Sequence, residues 1–532
     1  MCQHCMNRRE FGALAAAGVV GSLAGLSSAV AADPLTVEAW DPDQPPVVTG
    51  RPLRIQPVLA YQVMTPRPKT SWRSWSDIIN EPAAAEEAQR IDGELQTLAH
   101  KADFPTTFLP LAKVTTPEQA AQVQKGDFDV VLVYTASNYG VFPHCWAQNL
   151  RRDTLVFARH ESGPAYFGYE YLGVQAGLKV PSPELWRDCS AENHGGVTLD
   201  DVVIDDYEEI LWRLRALYGL KNFVGQRIVA LGGPQGKWDP TAPEVARQRY
   251  KLEIIDASYR DLAARLKVIS EDAKLQTQLA AWTDRCLAMP QTRLETKQEF
   301  IQRAFALYIV FRQWLREHDA AAITINACMG TILAESDTTA CLPLMWLNDE
   351  GYLAFCEADF VCIPAGILLH YIAGKPVFLH NSTFPHKGIV TCAHCTAPRR
   401  MDGQRYEPVR IMTHYESDFG AAPKIEMPIG QQVCAISPEY AKPRWVGLRG
   451  TVRKNPCLPM CRSQQDVEIQ GAWKRLIPEA RNSHWMMVYG DYLREVGYAA
   501  HKTLDDGLRR LSSRSGLRRP QNRLDLGQCL RR

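Results

Sequence analysis

The segment from Asn326 to His394 is the part of the chain richest in side chains that could bind a metal or transfer a proton. Glu335, Glu357 and Asp359 each adjoin small or apolar residues. A carboxylate that is removed from water is costly unless it is paired or coordinates a cation. Carboxylate oxygens with one or two imidazoles suit Mn²⁺ or a related divalent ion better than a thiolate site does. The pattern therefore predicts carboxylate chemistry at a divalent metal.

Each of these side chains also has an ordinary structural explanation. Glu335 would fit beside a helix N-cap, and Asp359 would cap the helix that the apolar run Phe360–Tyr371 predicts. His380 and His386 would serve as loop residues bonded to the backbone. The residue types alone leave both interpretations open.

The cysteines give no clear framework. Of fifteen cysteines, Cys2 and Cys5 lie in the first residues, which leaves an odd thirteen without regular spacing. Cys392 with Cys395 and Cys457 with Cys461 form two short pairs, but they stand too far apart for a compact zinc ribbon. Several other cysteines lie in apolar runs, where a small buried side chain is the usual role: Cys328, Cys341, Cys356, Cys362 and Cys434.

Short segments in the second half of the chain resemble the L-fucose isomerase and L-arabinose isomerase superfamily, especially its carboxy-terminal catalytic region. The resemblance is clearest over residues 321–402 and again over 481–494. The order of two acids followed by two well-separated histidines is its more specific part. The segments that carry it are Glu335, Cys356–Asp359, Val377–Asn381, Ala393–His394 and Ser483–Trp485.

The resemblance implies a set of metal ligands. In that superfamily a divalent metal, usually manganese, is held by two carboxylates and a late histidine, with a further histidine in the arabinose branch. Glu335 then corresponds to the first carboxylate and a proton-transfer group, and Asp359 to the second, as in the fucose branch. His484 corresponds to the late histidine and His394 to the additional one. Glu357 is the alternative if the register is shifted by two residues.

The reaction implied is aldose–ketose isomerisation of a monosaccharide through an enediol, an intramolecular oxidoreduction. The metal would act as a Lewis acid on two adjacent sugar oxygens while carboxylates move the proton. Glu357, Trp346, Tyr352 and Trp485 are candidates to contact the sugar, although a core role is equally open for each aromatic. The resemblance also implies a homo-oligomer, a trimer or hexamer.

Two other functional classes remain. The first is a non-catalytic, exported carbohydrate-binding protein on the same scaffold. The second is an exported metalloenzyme of another reaction class, such as a hydrolase. The Gly-x-Ser-x-Gly and His-Glu-x-x-His signatures are missing from the sequence, which argues against its commonest forms.

The surrounding elements predict an α/β protein. Asp127–Tyr134 and Gln226–Leu231 are continuous apolar runs typical of buried parallel strands, and helical patterns alternate with them. We expect two Rossmann-like doubly wound α/β domains, residues 32–199 and 200–345, followed by an α+β or β-rich domain over 346–508 and a basic, disordered tail over 509–532. The glycine-rich run Gly232–Lys237 is interpreted as a tight turn, because Leu231 and Trp238 break the phosphate-loop pattern.

The first 31 residues resemble a twin-arginine export signal. Arg8 and Arg9 precede an uncharged run from Gly12 to Ala31 that ends in a small-x-small cleavage pattern. Export to the periplasm is therefore expected, with no stable membrane span after cleavage. The balance of 60 basic against 59 acidic residues gives no global reason to expect nucleic acid.

Overall fold

A computed structural model describes residues 37–146, 152–170, 172, 197, 199–439, 444–478 and 482–512. The elements below all belong to one compact unit, Ala39–Arg532. The predicted leader over 1–31 lies outside the described residues, and so does the predicted tail beyond residue 512. Within the described ranges, no helix is long and apolar enough to cross a membrane.

The first sheet is parallel and consists largely of apolar runs. Its strands are Leu53–Ala60 (β1), Thr106–Phe108 (β2), Ala112–Val114 (β3), Val130–Thr135 (β4), Asp153–Ala158 (β5) and Val202–Ile204 (β6). Their order is β2-β1-β4-β5-β6, with β3 also paired to β1. Every residue of β4 is buried, as expected for a strand that is covered on both faces.

The second sheet is also parallel, with the order β11-β10-β7-β8. Its strands are Arg227–Leu231 (β7), Glu253–Ala257 (β8), Ala322–Ile325 (β10) and Leu353–Phe355 (β11). Because neighbouring parallel strands run in the same direction, the loops that follow β7, β10 and β11 lie at one edge of this sheet. Ligands of open α/β sheets commonly bind at that edge.

The carboxy-terminal part contains a closed barrel with the order β12-β13-β18-β17-β16-β19 and antiparallel neighbours. Its strands are Phe378–Ser382 (β12), Ile389–His394 (β13), Gln432–Glu439 (β16), Arg444–Lys454 (β17), Ser463–Ile469 (β18) and His484–Tyr489 (β19). A small sheet with the order β15-β14-β9 completes the strands: Thr292–Glu295 (β9), Val409–His414 (β14) and Phe419–Ile425 (β15).

The helices cover the sheets and connect them to the barrel. In the described part of the chain they are Glu81–Lys101 (α1), Pro117–Val123 (α2), Tyr207–Phe223 (α3), Ala242–Arg249 (α4), Tyr259–Glu271 (α5), Ala273–Ala288 (α6), Gln298–Glu317 (α7), Leu333–Ser336 (α8), Cys341–Asp349 (α9), Ile363–Ala373 (α10) and Leu493–Ser512 (α11). All residues of α10 are buried, so this helix lies at the centre of the core rather than at its surface.

Helix α10 brings the second sheet and the barrel together. It packs on α3, on β11 and on β19. A Cβ at Gly366 of α10 would lie 2.7 Å from the Phe355 ring and 2.9 Å from the Met486 side chain, which is closer than real contacts allow. The glycine therefore permits the close approach that sets the loop after β11 beside the barrel.

These observations confirm the expected α/β class with parallel sheets. The closed barrel is the specific form of the carboxy-terminal part, which the sequence predicted only as α+β or β-rich. The predicted division between residues 345 and 346 falls inside α9, and β11 lies in the second sheet. The tail predicted over 509–532 overlaps α11, which continues to Ser512.

Candidate metal centre

The centre begins in the loop that follows β11. Glu357 and Ala358 both have left-handed backbones, with φ of 62° and 44°. The loop after β7 holds this conformation in place through Gln235, whose side chain donates to Glu357 O (2.6 Å) and whose N–H donates to Ala358 O (3.1 Å). Two strained residues thus turn the chain between Cys356 and Asp359, and so place two carboxylates in one loop.

The barrel contributes two histidines. His394 is the last residue of β13 and His484 is the first residue of β19. Asn381 of β12 pairs with His484 on one side and with Ala393 on the other, so β12 separates the two histidine-bearing strands. The imidazole centroids are 5.9 Å apart. The histidines therefore meet at one end of the barrel, facing the edge of the second sheet.

Asp359 and His484 form a buried pair. Asp359 Oδ2 is 2.7 Å from His484 Nδ1, and the two residues are 1% and 0% exposed. Asp359 Oδ1 accepts hydrogen bonds from the N–H groups of Lys237 (3.0 Å) and Val361 (3.2 Å). Both carboxylate oxygens are therefore engaged, and the carboxylate fixes the orientation of the His484 ring, as a carboxylate does behind a metal-binding imidazole.

Glu357 faces the other side of the His484 ring. Its Oε2 is 3.6 Å from His484 Nε2, and its Oε1 is 3.4 Å from His394 Nε2. Both Nε2 atoms are buried without a hydrogen-bond partner, which is unusual for buried polar atoms. Two ligands that each lie about 2.1 Å from one ion are separated by roughly 3–3.5 Å. The donor set and its spacing thus fit a divalent cation.

The charge of Glu357 also suits a cation. Burial would raise the pKa of this carboxyl, but His394, His484 and Lys237 outweigh burial and hold its pKa well below the ordinary value. The Lys237 ammonium donates directly to Glu357 Oε2. Glu357 is therefore an anion at neutral pH, and Lys237 occupies one of its oxygens.

In the described part of the chain, two groups of residues could hold a metal ion: Glu357, His394 and His484, or Asp359, Cys362 and His484. The first group leaves two nitrogen atoms without partners. In the second group, the oxygens of Asp359 already accept hydrogen bonds. The first group is therefore the better cation site, with Asp359 behind His484.

Four of the residues predicted as metal or substrate contacts lie in this cluster: Glu357, Asp359, His394 and His484. Glu335 does not join it. It lies exposed in the one-turn helix α8, which follows a π-helical turn over Cys328–Ile332. Glu357 is the acid that the sequence offers in place of Asp359 if the register of the resemblance is shifted by two residues. The loop after β11 brings this acid to the histidines.

The aromatic candidates lie elsewhere. Trp346 is buried and stacks on Phe305 at 4.0 Å, and Tyr352 lies under the Arg312 guanidinium. Trp485 is buried with its indole N–H donating to Asn482 O (3.1 Å), and alternation along β19 points it away from the face of His484. Trp346 thus has the core role that the sequence left open.

Lys237 and Trp238 lie beside these side chains, and sequence reasoning missed them because it interpreted their loop as a tight turn without a ligand. Trp238 is 64% exposed, and its indole N–H donates to Ser483 Oγ (2.8 Å), next to His484. Both residues follow β7, a strand of the same parallel sheet as β10 and β11. Because ligands of such sheets commonly bind beside the loops that follow the strands, this position could have identified them. His380, predicted as a loop residue, lies in β12, where burial lowers its pKa to about 3.

A cavity of about 260 Å³ lies apart from this centre. Its lining includes Trp40, Tyr308, Trp346, Asp349 and Arg400, and none of the four clustered side chains contributes to it. The metal centre instead reaches solvent beside Glu357, Lys237 and the exposed Trp238.

Comparison of the chain with protein-family models gives no match, and comparison with curated proteins gives none either.

Proposed function

We propose that this protein is a metal-dependent aldose–ketose isomerase of a monosaccharide, with Mn²⁺ as its cation. The observation that carries the proposal is the convergence of the Glu357 carboxylate on two buried, unpartnered imidazole nitrogens, those of His394 and His484. Mixed oxygen and nitrogen donors suit Mn²⁺. The resemblance of this region to the fucose and arabinose isomerases supplies the reaction class.

The bound cation would supply Lewis acidity toward two neighbouring oxygens of the sugar. Glu357 is the base in this proposal, because its carboxylate lies beside the two imidazoles of the cation site and is partly open to solvent. It takes the proton from C2 of the aldose and returns it to C1, and the enediol lies between the two steps.

The other side chains of the centre prepare this step. Asp359 accepts a hydrogen bond from the Nδ1–H group of His484, so Nε2 presents its lone pair to the cluster. The Lys237 ammonium stabilises negative charge that develops on the sugar oxygens. The exposed Trp238 ring offers an apolar face for the sugar at the mouth of the site.

Solvent-deuterium exchange tests this function. The purified protein with added MnCl₂ is incubated in D₂O with aldopentoses and 6-deoxyhexoses, and the products are read by NMR. We expect a ketose and deuterium at C1 or C2 with the native protein, and neither with Glu357→Gln. Glu335→Gln, a change of the same chemistry at an exposed site, is the matched control and should retain exchange.

A carbohydrate-binding protein without catalysis would behave differently in the same experiment. The sugar would bind, measured by calorimetry, while no ketose and no deuterium appeared with any aldose or metal. That result would overturn the isomerase proposal.

A further inference from the structure

Two groups of cysteines lie beside the metal centre. In the first, Cys328 Sγ is 3.5 Å from Cys356 Sγ. In the second, Cys395 contacts both Cys341 and Cys461. All five are free thiols. Each group adjoins one residue of the proposed centre, because Cys356 precedes Glu357 and Cys395 follows His394.

The two ends of the Cys328–Cys356 contact differ in access. Cys356 is buried, whereas Cys328 is partly exposed. Cys328 begins the π-helical turn that follows β10, and the residue before it, Ala327, has a left-handed backbone with φ of 52°. Cys328 is therefore the thiol of this pair that a small reagent in solvent reaches more readily.

The neighbouring groups hold these two loops together. The Tyr259 side chain lies close to both thiols, and its hydroxyl donates to Asn326 O in the loop after β10. The sulfur atoms must approach from 3.5 Å to about 2.05 Å to bond. Since π-helical turns are inserted distortions rather than regular helix, the turn over Cys328–Ile332 can supply that movement more easily than the loop of Glu357.

We propose that Cys328 and Cys356 are a redox-active pair, and that a small disulfide such as oxidised glutathione converts them to a disulfide that fixes the loop of Glu357. The thiolate of Cys328 attacks one sulfur of the reagent and expels one thiol, which leaves a mixed disulfide on Cys328. Cys356 then loses its proton, attacks the Cys328 sulfur and expels the second thiol. Two protein thiols are oxidised and one external disulfide is reduced to two thiols.

The bond would tie the loop after β10 to the loop after β11. Glu357 adjoins Cys356 and has a strained backbone, so a covalent bond at Cys356 restricts the movement of the carboxylate. A metal-binding side chain that is already held in its binding conformation loses less conformational entropy when the ion binds. The oxidised protein is therefore expected to bind Mn²⁺ several-fold more tightly, a consequence that rests on the proposed metal centre.

Peptide mapping after equilibration with glutathione buffers tests the pair itself. Oxidised native protein should give one linked peptide pair that joins Cys328 to Cys356, and dithiothreitol should reverse it. Cys328→Ser should abolish the linked pair and keep the fold, while the exposed Cys457→Ser should leave the pair unchanged. Glutathione that stays bonded to Cys328 would overturn the proposal. So would a Cys356 that remains a free thiol, alkylated after unfolding, at every buffer composition.

Calorimetry with MnCl₂ on the oxidised and reduced protein tests the coupling. Tighter binding by the oxidised native protein, and equal binding by Cys328→Ser under both conditions, would support it. An equal affinity in both states, with the bridge present, would overturn the coupling. A bridge that forms in a protein with no Mn²⁺ binding in either state would contradict the metal centre and leave the redox pair standing.

Discussion

Asp359 Oδ2 and His484 Nδ1 lie 2.7 Å apart, and both side chains are buried. Because Nδ1 is engaged by the carboxylate, only Nε2 is left to face Glu357. Asp359 thereby decides which nitrogen of His484 carries the proton. This places Asp359 behind the histidine, whereas the resemblance assigns it a direct bond to the metal.

Asp359→Asn tests this arrangement. The amide keeps an oxygen for the N–H groups of Lys237 and Val361, but its NH₂ group donates to Nδ1 and drives the His484 proton to Nε2. We expect Mn²⁺ affinity to fall by roughly 10–100-fold, the usual cost of losing a carboxylate behind a ligating histidine, with little change in melting temperature. Calorimetry measures the affinity, and an unchanged affinity would mean that Asp359 does not set the tautomer.

Asp359→Ala gives the complementary result on stability. The alanine leaves two backbone N–H groups and a buried imidazole without an acceptor. We expect a loss of about 3 kcal/mol in the free energy of unfolding, as for other broken buried pairs. Urea unfolding of the alanine and asparagine variants, compared with the native protein, separates the two effects.

Glu357→Gln and Glu335→Gln distinguish the two registers that the sequence allowed. Glu357 faces both unpartnered imidazole nitrogens, whereas Glu335 is exposed in α8. A side chain that binds the metal directly contributes at least as much to metal affinity as a carboxylate behind a ligating histidine does. Glu357→Gln should therefore weaken Mn²⁺ binding by about 100-fold or more. Glu335→Gln should leave binding unchanged, and the reverse result in calorimetry would restore the register of the resemblance.

Much of the α/β layer could be predicted from sequence. The strands predicted over Asp127–Tyr134 and Gln226–Leu231 correspond to β4 and β7, because each is a continuous apolar run. The barrel could not be predicted as readily. Strand β18 begins with three buried polar residues, Ser463, Gln464 and Gln465. Their side chains donate to backbone carbonyls of β15 and of the loop before β18, so the start of this strand has no apolar alternation.

The candidate site could be predicted only in part, because tertiary contacts set the distances between its residues. His394 and His484 stand in recognisable short segments, but their distance from Glu357 depends on the closure of the barrel and on the packing of α10. Lys237 enters through a contact between the loops after β7 and β11, which no local pattern encodes. Resemblance identified the later acids and histidines, and tertiary structure selected among the acids.

Lys237→Met tests the competition between the ammonium and a cation. Lys237 donates to Glu357 and helps to lower its pKa, so its removal frees a carboxylate oxygen and removes a repelling charge. We expect Mn²⁺ to bind about 10-fold more tightly, consistent with one close charge pair, while isomerase turnover falls. Lys237→Arg, which keeps the charge, should do neither, and weaker metal binding by the methionine variant would contradict this role.

The same variant has a pH signature. A carboxyl whose folded pKa is depressed stabilises the protein above its ordinary pKa, here 4.5, and this contribution disappears as the pH falls through the folded value. Without Lys237 the folded pKa of Glu357 is less depressed. The stabilisation should therefore be smaller above pH 4.5 and should be lost at a higher pH, measured by urea unfolding across pH 3–6.

Trp238→Ala and Trp346→Ala separate a surface contact from a core residue. Trp238 is largely exposed beside Ser483, while Trp346 stacks on Phe305 in the core. Trp238→Ala should raise the KM for the sugar several-fold with little loss of stability. Trp346→Ala should cost about 3–5 kcal/mol in unfolding free energy through the cavity that it creates. A KM that is unchanged in Trp238→Ala would remove this ring from the sugar site.

Asp349 predicts a pH dependence of stability that does not involve the metal centre. Its Oδ1 accepts from the N–H groups of Arg399 and Arg400, both at 2.7 Å, while its Oδ2 is buried without a partner. Burial, only partly opposed by these two residues, raises its pKa to about 7. The folded protein therefore retains a proton between pH 4 and 7 that the unfolded chain releases, and stability falls as the pH rises through this range.

Asp349→Asn imitates the protonated form and should remove this dependence. Relative to the native protein, the variant should gain stability between pH 4 and 7, by up to about 1.4 kcal/mol per pH unit, and the difference should level off above pH 7. Asp402→Asn is the control of opposite sign, because hydrogen bonds from Arg405 and Gln404 outweigh burial and lower the pKa of Asp402. Urea unfolding from about pH 2.5 to pH 8 measures both, since the dependence from Asp402 lies below its ordinary pKa of 3.8. A difference between Asp349→Asn and the native protein that is independent of pH would show that the buried carboxyl does not titrate between pH 4 and 7.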